Sequence, residues 1–226
     1  MKKIYIKKNL NKKVILAAHN SLSYAEPTKW WMKLINFTSK CQDLNIKEQF
    51  EYGVRLFDIR VDLLGLRDPM NWDYARSAHG VVTYNVFVND ALIYLNEMAE
   101  KHNEKIYVFL SVENLKYENE EYIDNFVEFF EFMKSRYQHL IFCGGYRKHP
   151  WVKMIDCEDP DIRMLFWEFL GFQYQPTPKE KIKALIKNIV HFSPKYWAKK
   201  NNWEYKNIKN EGDSDLYLML DYVQYV

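Results

Sequence analysis

The 226-residue sequence predicts an α/β chain built as a distorted, incompletely closed (β/α) barrel of the TIM-like kind, with residues 1–226 forming a single domain. Three observations lead there. Apolar runs of strand length alternate with helical patterns, as parallel βαβ units require. The run KIYVFLSV from Lys105 to Val112 is apolar almost throughout, as a strand covered on both faces must be. About seven or eight such runs can be counted, while several intervening helices look short or missing.

In chain order, Met1 to Ile6 alternates weakly and suits an edge strand or a barrel plug. Val14 to Ala18 is a short apolar strand, followed at its C-terminal end by His19, Asn20 and Ser21. Strand ends of that kind are where α/β barrels place their chemistry. Ser23 to Lys40 is irregular or partly helical and carries Pro27 and the pair Trp30–Trp31. Asn45 is a good N-cap, Glu48 completes a capping box, and Gly53 suits the position just past the helix end. Val54 to Val61 is a buried strand into which Asp58 and Arg60 are set. Two residues apart on a strand, they point to one face. Charges on a buried face cost desolvation energy unless they are paired or used.

Leu64 to Ser77 is expected to be a loop, with His79 on a short third strand or at its end. Asn89 is expected to cap a helix bearing Leu92, Leu95 and Met98 or Ala99 on one face. Glu120 to Tyr137 is a helix with Tyr122, Phe126, Phe130 and Met133 as its stripe. His139 to Cys143 is a strand, broken by Gly144–Gly145, and Ile162 to Phe169 is another, carrying Glu168. Pro178 opens a helix, Val190 to Phe192 is a short strand, and Leu216 to Val223 closes the chain as a strand carrying Asp221.

Composition removes several function classes. Apolar content of 48% and aromatic content of 17% exclude a disordered chain. A net charge of +2 is no nucleic-acid footprint. Cys41, Cys143 and Cys157 form neither a zinc motif nor a disulfide framework, and none has a base beside it in any motif. The lysine-rich N-terminus lacks an apolar core before Val14, and no window spans a membrane. The expected location is therefore cytoplasmic, or outside by release without a signal.

Two histidines and an arginine at strand ends suit phosphodiester cleavage. A base takes a proton from the attacking hydroxyl, a planar cation holds the phosphate, and an acid protonates the leaving oxygen. His19, Arg60 and His79 are such a set. His102, His139, His149 and His191 sit in no motif and read as surface or capping residues.

The order of these pieces resembles the catalytic X-region of the phosphatidylinositol-specific phospholipase C superfamily. The matching stretches are His19–Asn20, Gln42 to Gln49, Gly53 to Arg60 (GVRLFDIR) and His79–Gly80, and the likeness runs from Val14 to Asn114. It implies a barrel, nearer to the bacterial, metal-independent branch. It implies that His19 is the base, His79 the acid, Arg60 the phosphate holder, Asp58 a supporting carboxylate and Asp221 the aspartate that orients His19. The chain departs from the bacterial pattern at Asn20, where that branch has aspartate. Asn20 and Glu113 are assigned to substrate binding; in the calcium-dependent branch, such residues bind the metal. No cofactor is expected, because Arg60 stands at one ligand position. The alternative is calcium held by Asn20, Asp58 and Glu113. Trp30 and Trp31, flanked by Lys29 and Lys33, fall where bacterial enzymes of this family carry a membrane-touching helix. The implied partner is phosphatidylinositol or a related phospholipid or phosphodiester, cleaved through a cyclic phosphate. Two alternatives are a headgroup-binding barrel that turns nothing over, and a metal-dependent enzyme acting on another diester such as a glycerophosphodiester.

Overall fold

The computed structural model describes residues 13–113, 120–144, 160–165, 193–202, 205, 208 and 214–226. The expected N-terminal strand, Gly145, Glu168, the helix after Pro178 and the strand at 190–192 lie outside these residues, as do Cys157, His149 and His191.

The sheet begins with β1 (Val14–Ala18), as expected. After it come a short helix α1 (Trp30–Ile35) and a single 3-10 turn over Asn36–Thr38. Helix α2 (Ile46–Glu51) starts on the capping box that the sequence announces. The Asn45 side chain accepts from the Glu48 N–H, and the Glu48 carboxylate accepts from the Asn45 N–H. Gly53 follows at φ 103°, a conformation that favours glycine, and turns the chain into β2 (Val54–Asp62).

The segment after β2 is more ordered than a loop. It forms 3-10 turns at Leu63–Leu66 and Pro69–Tyr74, then β3 (Arg76–His79). A strand the sequence reading did not include, β4 (Val82–Phe87), folds back on β3 through Gly80 and Val81. Helix α3 (Val88–His102) corrects the expected cap. Phe87 is its N-cap, and Asn89 lies inside the first turn, buried, accepting a hydrogen bond from the Tyr137 hydroxyl. The chain continues with β5 (Ile106–Glu113), α4 (Glu120–Arg136), β6 (Leu140–Gly144) and β7 (Asp161–Leu165). It ends with α5 (Pro194–Asn201) and β8 (Leu216–Leu220), three residues shorter than expected.

The parallel strands run in the order β7–β8–β1–β2–β5–β6, with β3 joined to β2 antiparallel at Val61 and Ser77. The result is a curled half-barrel with helices outside it, the expected fold class. Among the described residues, no pairing joins β6 to β7. Side chains sort by parity. Ala17, Leu56, Phe109, Cys143, Ile162, Tyr217 and Met219 pack together on the inner face. Leu16, Ala18, Phe57, Ile59, Val108 and Leu110 face outward, where they meet Leu92, Leu95, Phe126, Phe129 and Phe130 of α3 and α4. The inner cluster is an apolar floor. Continuing its parity toward the carboxyl ends gives His19 from Ala17, Asp58 and Arg60 from Leu56, Glu113 from Phe109, and Asp221 from Met219.

Candidate active site at the carboxyl ends of the strands

Those five residues meet above the floor. The His19 ring is held from both sides. Its Nδ1 lies 2.7 Å from Asp221 Oδ1, and the Arg60 guanidinium donates to its Nε2 over 2.7 Å. Arginine has only donors, so Nε2 must carry the lone pair and Nδ1 the proton that goes to Asp221. Asp221 lies just past β8 rather than inside a strand. It is 1% exposed, which makes its charge a strong orienting group.

Arg60 is the hub. Its Nε donates to Asp58 Oδ2 over 3.0 Å and one terminal nitrogen to Glu113 Oε1 over 2.5 Å, while the other reaches His19. Burial works against the charged form of Arg60, but Asp58 and Glu113 outweigh it and raise its pKa. Burial also pushes the Asp58 pKa up, yet Arg60, His19 and the Asn20 N–H, which donates to Asp58 Oδ2 over 3.0 Å, bring it below the usual carboxylate range. Asp58 and Glu113 thus both spend their charge on the guanidinium. A calcium ion bound by Asn20, Asp58 and Glu113 would have to displace it.

His79, at the end of β3, faces His19 edge-on with ring centroids 5.4 Å apart. Its Nδ1 donates to the Ser39 carbonyl over 2.7 Å, leaving Nε2 toward the site. Burial, then the positive charge of Arg60, lower its pKa to about 4.

Asn20 itself is fully buried at φ 42°, in the left-handed region that asparagine tolerates better than most residues. Neither atom of its side-chain amide has a hydrogen-bond partner, and the same holds for Asp58 Oδ1 and Asp221 Oδ2. Buried polar atoms are normally satisfied, so four open ones at one strand rim mark a place for a polar ligand.

The glutamines that flank the helix motif are structural. Gln42 donates to the carbonyls of His19 and Leu220, each over 3.0 Å, and accepts from the Val223 N–H. It therefore ties the ends of β1 and β8 together below His19 and Asp221. Gln49 donates to the carbonyls of Ser21 and Leu44. Asn202, which the sequence reading passed over, donates to the carbonyls of Asp221 and Tyr222 from the end of α5.

The fold adds a neighbour that no motif announces: the Cys41 sulfur lies 3.6 Å from His79 Nδ1 and 3.4 Å from the Ser39 carbonyl. It is fully buried, and burial together with the charge of Asp221 pushes the thiol pKa up. That thiol is no nucleophile, but it belongs to the site wall. No sequence motif announces this, since Ser39, Cys41 and His79 meet only through the fold.

Helix α1 ends four residues before Ser39 of that wall, across the 3-10 turn at Asn36–Thr38. Trp30 is 76% exposed, Leu34 68%, Phe37 58% and Trp31 39%, forming an apolar patch edged by exposed Lys29 and Lys33. Met32 turns inward against Val82 and Tyr84 and anchors the helix. No helix among the described residues is long and apolar enough to cross a membrane.

No family model matches the sequence, and no curated protein matches it. Solved structures do match the fold. Phosphatidylinositol-specific phospholipase C from Listeria monocytogenes superposes with a TM-score of 0.53 at 14% identity, covering 99% of this chain and 94% of that one. A Staphylococcus aureus phosphatidylinositol-specific phospholipase C, in a structure concerned with its membrane binding, gives 0.58 at 16% identity over 99% and 90%. A second structure of the S. aureus enzyme gives 0.56 at 17% over 97% and 89%.

Proposed function

We propose, on the premise of a fold shared with bacterial phosphatidylinositol-specific phospholipases C, that this chain is a metal-independent phosphodiesterase. Its substrate is phosphatidylinositol or a related lipid diester, and it works by intramolecular attack of a hydroxyl to give a cyclic phosphate. The observation that carries the proposal is the His19 ring, clamped between Asp221 and Arg60 with its Nε2 lone pair facing the guanidinium.

The cycle follows from those contacts. A phosphodiester entering the rim competes for the Arg60 guanidinium, the best anion partner there. Arg60 turns from His19 toward the non-bridging oxygens, and His19 Nε2 is left free to accept the proton of the attacking hydroxyl. Asp221 stabilises the imidazolium that forms and keeps the ring in place. The phosphate carries a negative charge next to His79, which offsets the field of Arg60 and raises the His79 pKa. Its Nε2 then holds a proton to give to the leaving oxygen. The open Asn20 amide is a hydrogen-bond partner for the head group. Asp58 and Glu113 hold Arg60 level with the phosphate. The tryptophan patch of α1 rests on the lipid surface beside the rim.

The test is turnover of phosphatidylinositol by His19→Ala and His79→Ala. Each change is expected to lower kcat by a factor of about 10²–10⁴ with the fold retained. Full activity in both variants would overturn the proposal.

A further inference from the structure

The same rim holds a second donor set, which shares His19 and Asp221 with the proposed reaction and adds Cys41, a residue that reaction does not use. His19, Cys41 and Asp221 each present one donor atom (imidazole nitrogen, sulfur, carboxylate oxygen), and these lie within 4.8 Å of one another. All three residues are buried. Asp221 Oδ1 is spent on His19, but its Oδ2 has no hydrogen-bond partner. A tetrahedral zinc ion with bonds of about 2.0–2.3 Å keeps its ligand atoms roughly 3.3–3.8 Å apart, so modest side-chain movement closes the set. One nitrogen, one thiolate and one carboxylate with a fourth position open is a donor set for a thiophilic divalent ion. It is not one for calcium, which takes oxygen ligands.

We propose that His19, Cys41 and Asp221 form a binding site for a zinc-class divalent cation, and that its occupancy switches the enzyme off. The site is separate in chemistry from any calcium site at Asn20, Asp58 and Glu113. Binding displaces the proton between His19 Nδ1 and Asp221; that proton moves to Nε2, and the Arg60 nitrogen that donated to Nε2 swings away while its bonds to Asp58 and Glu113 remain. Cys41 loses its thiol proton to solvent as the sulfur becomes a thiolate ligand. The net result is one proton released per ion bound. A neutral imidazole ligated through Nδ1 has no lone pair at Nε2 and cannot take a proton from the attacking hydroxyl. The inhibitory half of this inference rests on the proposed role of His19; the binding half does not.

Cadmium is the probe, because a cadmium–thiolate bond gives an ultraviolet charge-transfer band. Chelator-stripped protein is titrated with cadmium while absorbance, proton release and diester turnover are followed. The band is expected to saturate at one equivalent and to be abolished in Cys41→Ser but kept in Cys143→Ser. Asp221→Asn is expected to weaken binding by about tenfold or more. Turnover falls in step with the band, and zinc competes the band away. A band that survives Cys41→Ser, or that never forms at one equivalent, would overturn the site. Should Cys41→Ser fail to fold, undiminished cadmium affinity in both Asp221→Asn and His19→Gln would overturn it equally. A stoichiometric band in a chain with no diester turnover would leave the site standing and count against the proposed reaction instead.

Discussion

At the scale of the residue, Arg60 and Asp221 divide the work on His19, and each makes a distinct prediction. Arg60→Lys keeps the charge but loses the planar fork that reaches Asp58, Glu113 and His19 together. Turnover is expected to fall by about 10²-fold or more, read as kcat on a soluble diester. Asp221→Asn removes the acceptor that fixes the His19 tautomer and leaves an amide facing the ring. A loss of about 10³–10⁴ in kcat is expected, with KM changed much less. The His79 pKa of about 4 sets the pH dependence. An acid must be protonated to act, so kcat/KM, which reports the free enzyme, is expected to decline as pH rises above about 4. In kcat the decline sets in at higher pH, because bound phosphate offsets the Arg60 field. Coincident limbs in the two profiles would remove His79 from the acid role.

The residue scale is also where the sequence was most and least informative. Asp58 and Arg60 were legible because strand parity forces both onto one face, and an apolar strand does not carry two charges idly. His19 and His79 were legible through their order around the helix–strand unit. Cys41 was not. Its contacts with His79 and Asp221 join segments far apart in sequence, and a lone cysteine carries no pattern. Asn89 misled for a related reason: asparagine favours caps, but here Tyr137, brought in by α4, recruits its side chain into the first turn.

At the scale of the element, the capping box and Gln42 show how local chemistry places the site. Asn45→Ala should cost about 1 kcal/mol, measured by denaturant unfolding, with little effect on turnover. Gln42→Met is a sterner test. It keeps the volume but strands the carbonyl of His19 and the N–H of Val223, while the Leu220 carbonyl keeps only the His19 N–H. Roughly 2–5 kcal/mol of stability should be lost, and turnover should fall with it, since β1 and β8 carry His19 and Asp221. Gly144 was read as a strand breaker but ends β6 at φ 110°. A Cβ there would stand 2.8 Å from the Leu110 carbonyl oxygen, so glycine is what lets β5 and β6 pair up to this residue. Strand β4 escaped notice although VTYNVF is rich in β-branched and aromatic residues. A hairpin is out of place in an alternating β/α pattern, and its turn lacks the usual Asn-Gly signal.

At the scale of the whole molecule, the half-barrel puts a charged rim over an apolar floor and sets an exposed tryptophan helix beside it. The floor of Ala17, Leu56, Phe109, Cys143, Ile162, Tyr217 and Met219 keeps water from below and strengthens every contact above it. The barrel could be read from the sequence because parallel strands buried on both faces are apolar runs, whereas the order in which those strands pair, and that no pairing joins β6 to β7 among the described residues, is encoded in no single strand. If α1 rests on lipid, Trp30→Ala and Trp31→Ala should each weaken vesicle association by on the order of tenfold. Turnover of a water-soluble diester should stay unchanged. Equal binding of all three proteins to vesicles would dismiss the patch as a lipid contact.

The most direct test of the central claim is phosphorus NMR of phosphatidylinositol vesicles incubated with the protein in excess chelator. The His19–Arg60–His79 account predicts a cyclic inositol phosphate signal that accumulates undiminished by the chelator. Product that forms only when calcium is restored, or no cyclic product under either condition, would contradict it.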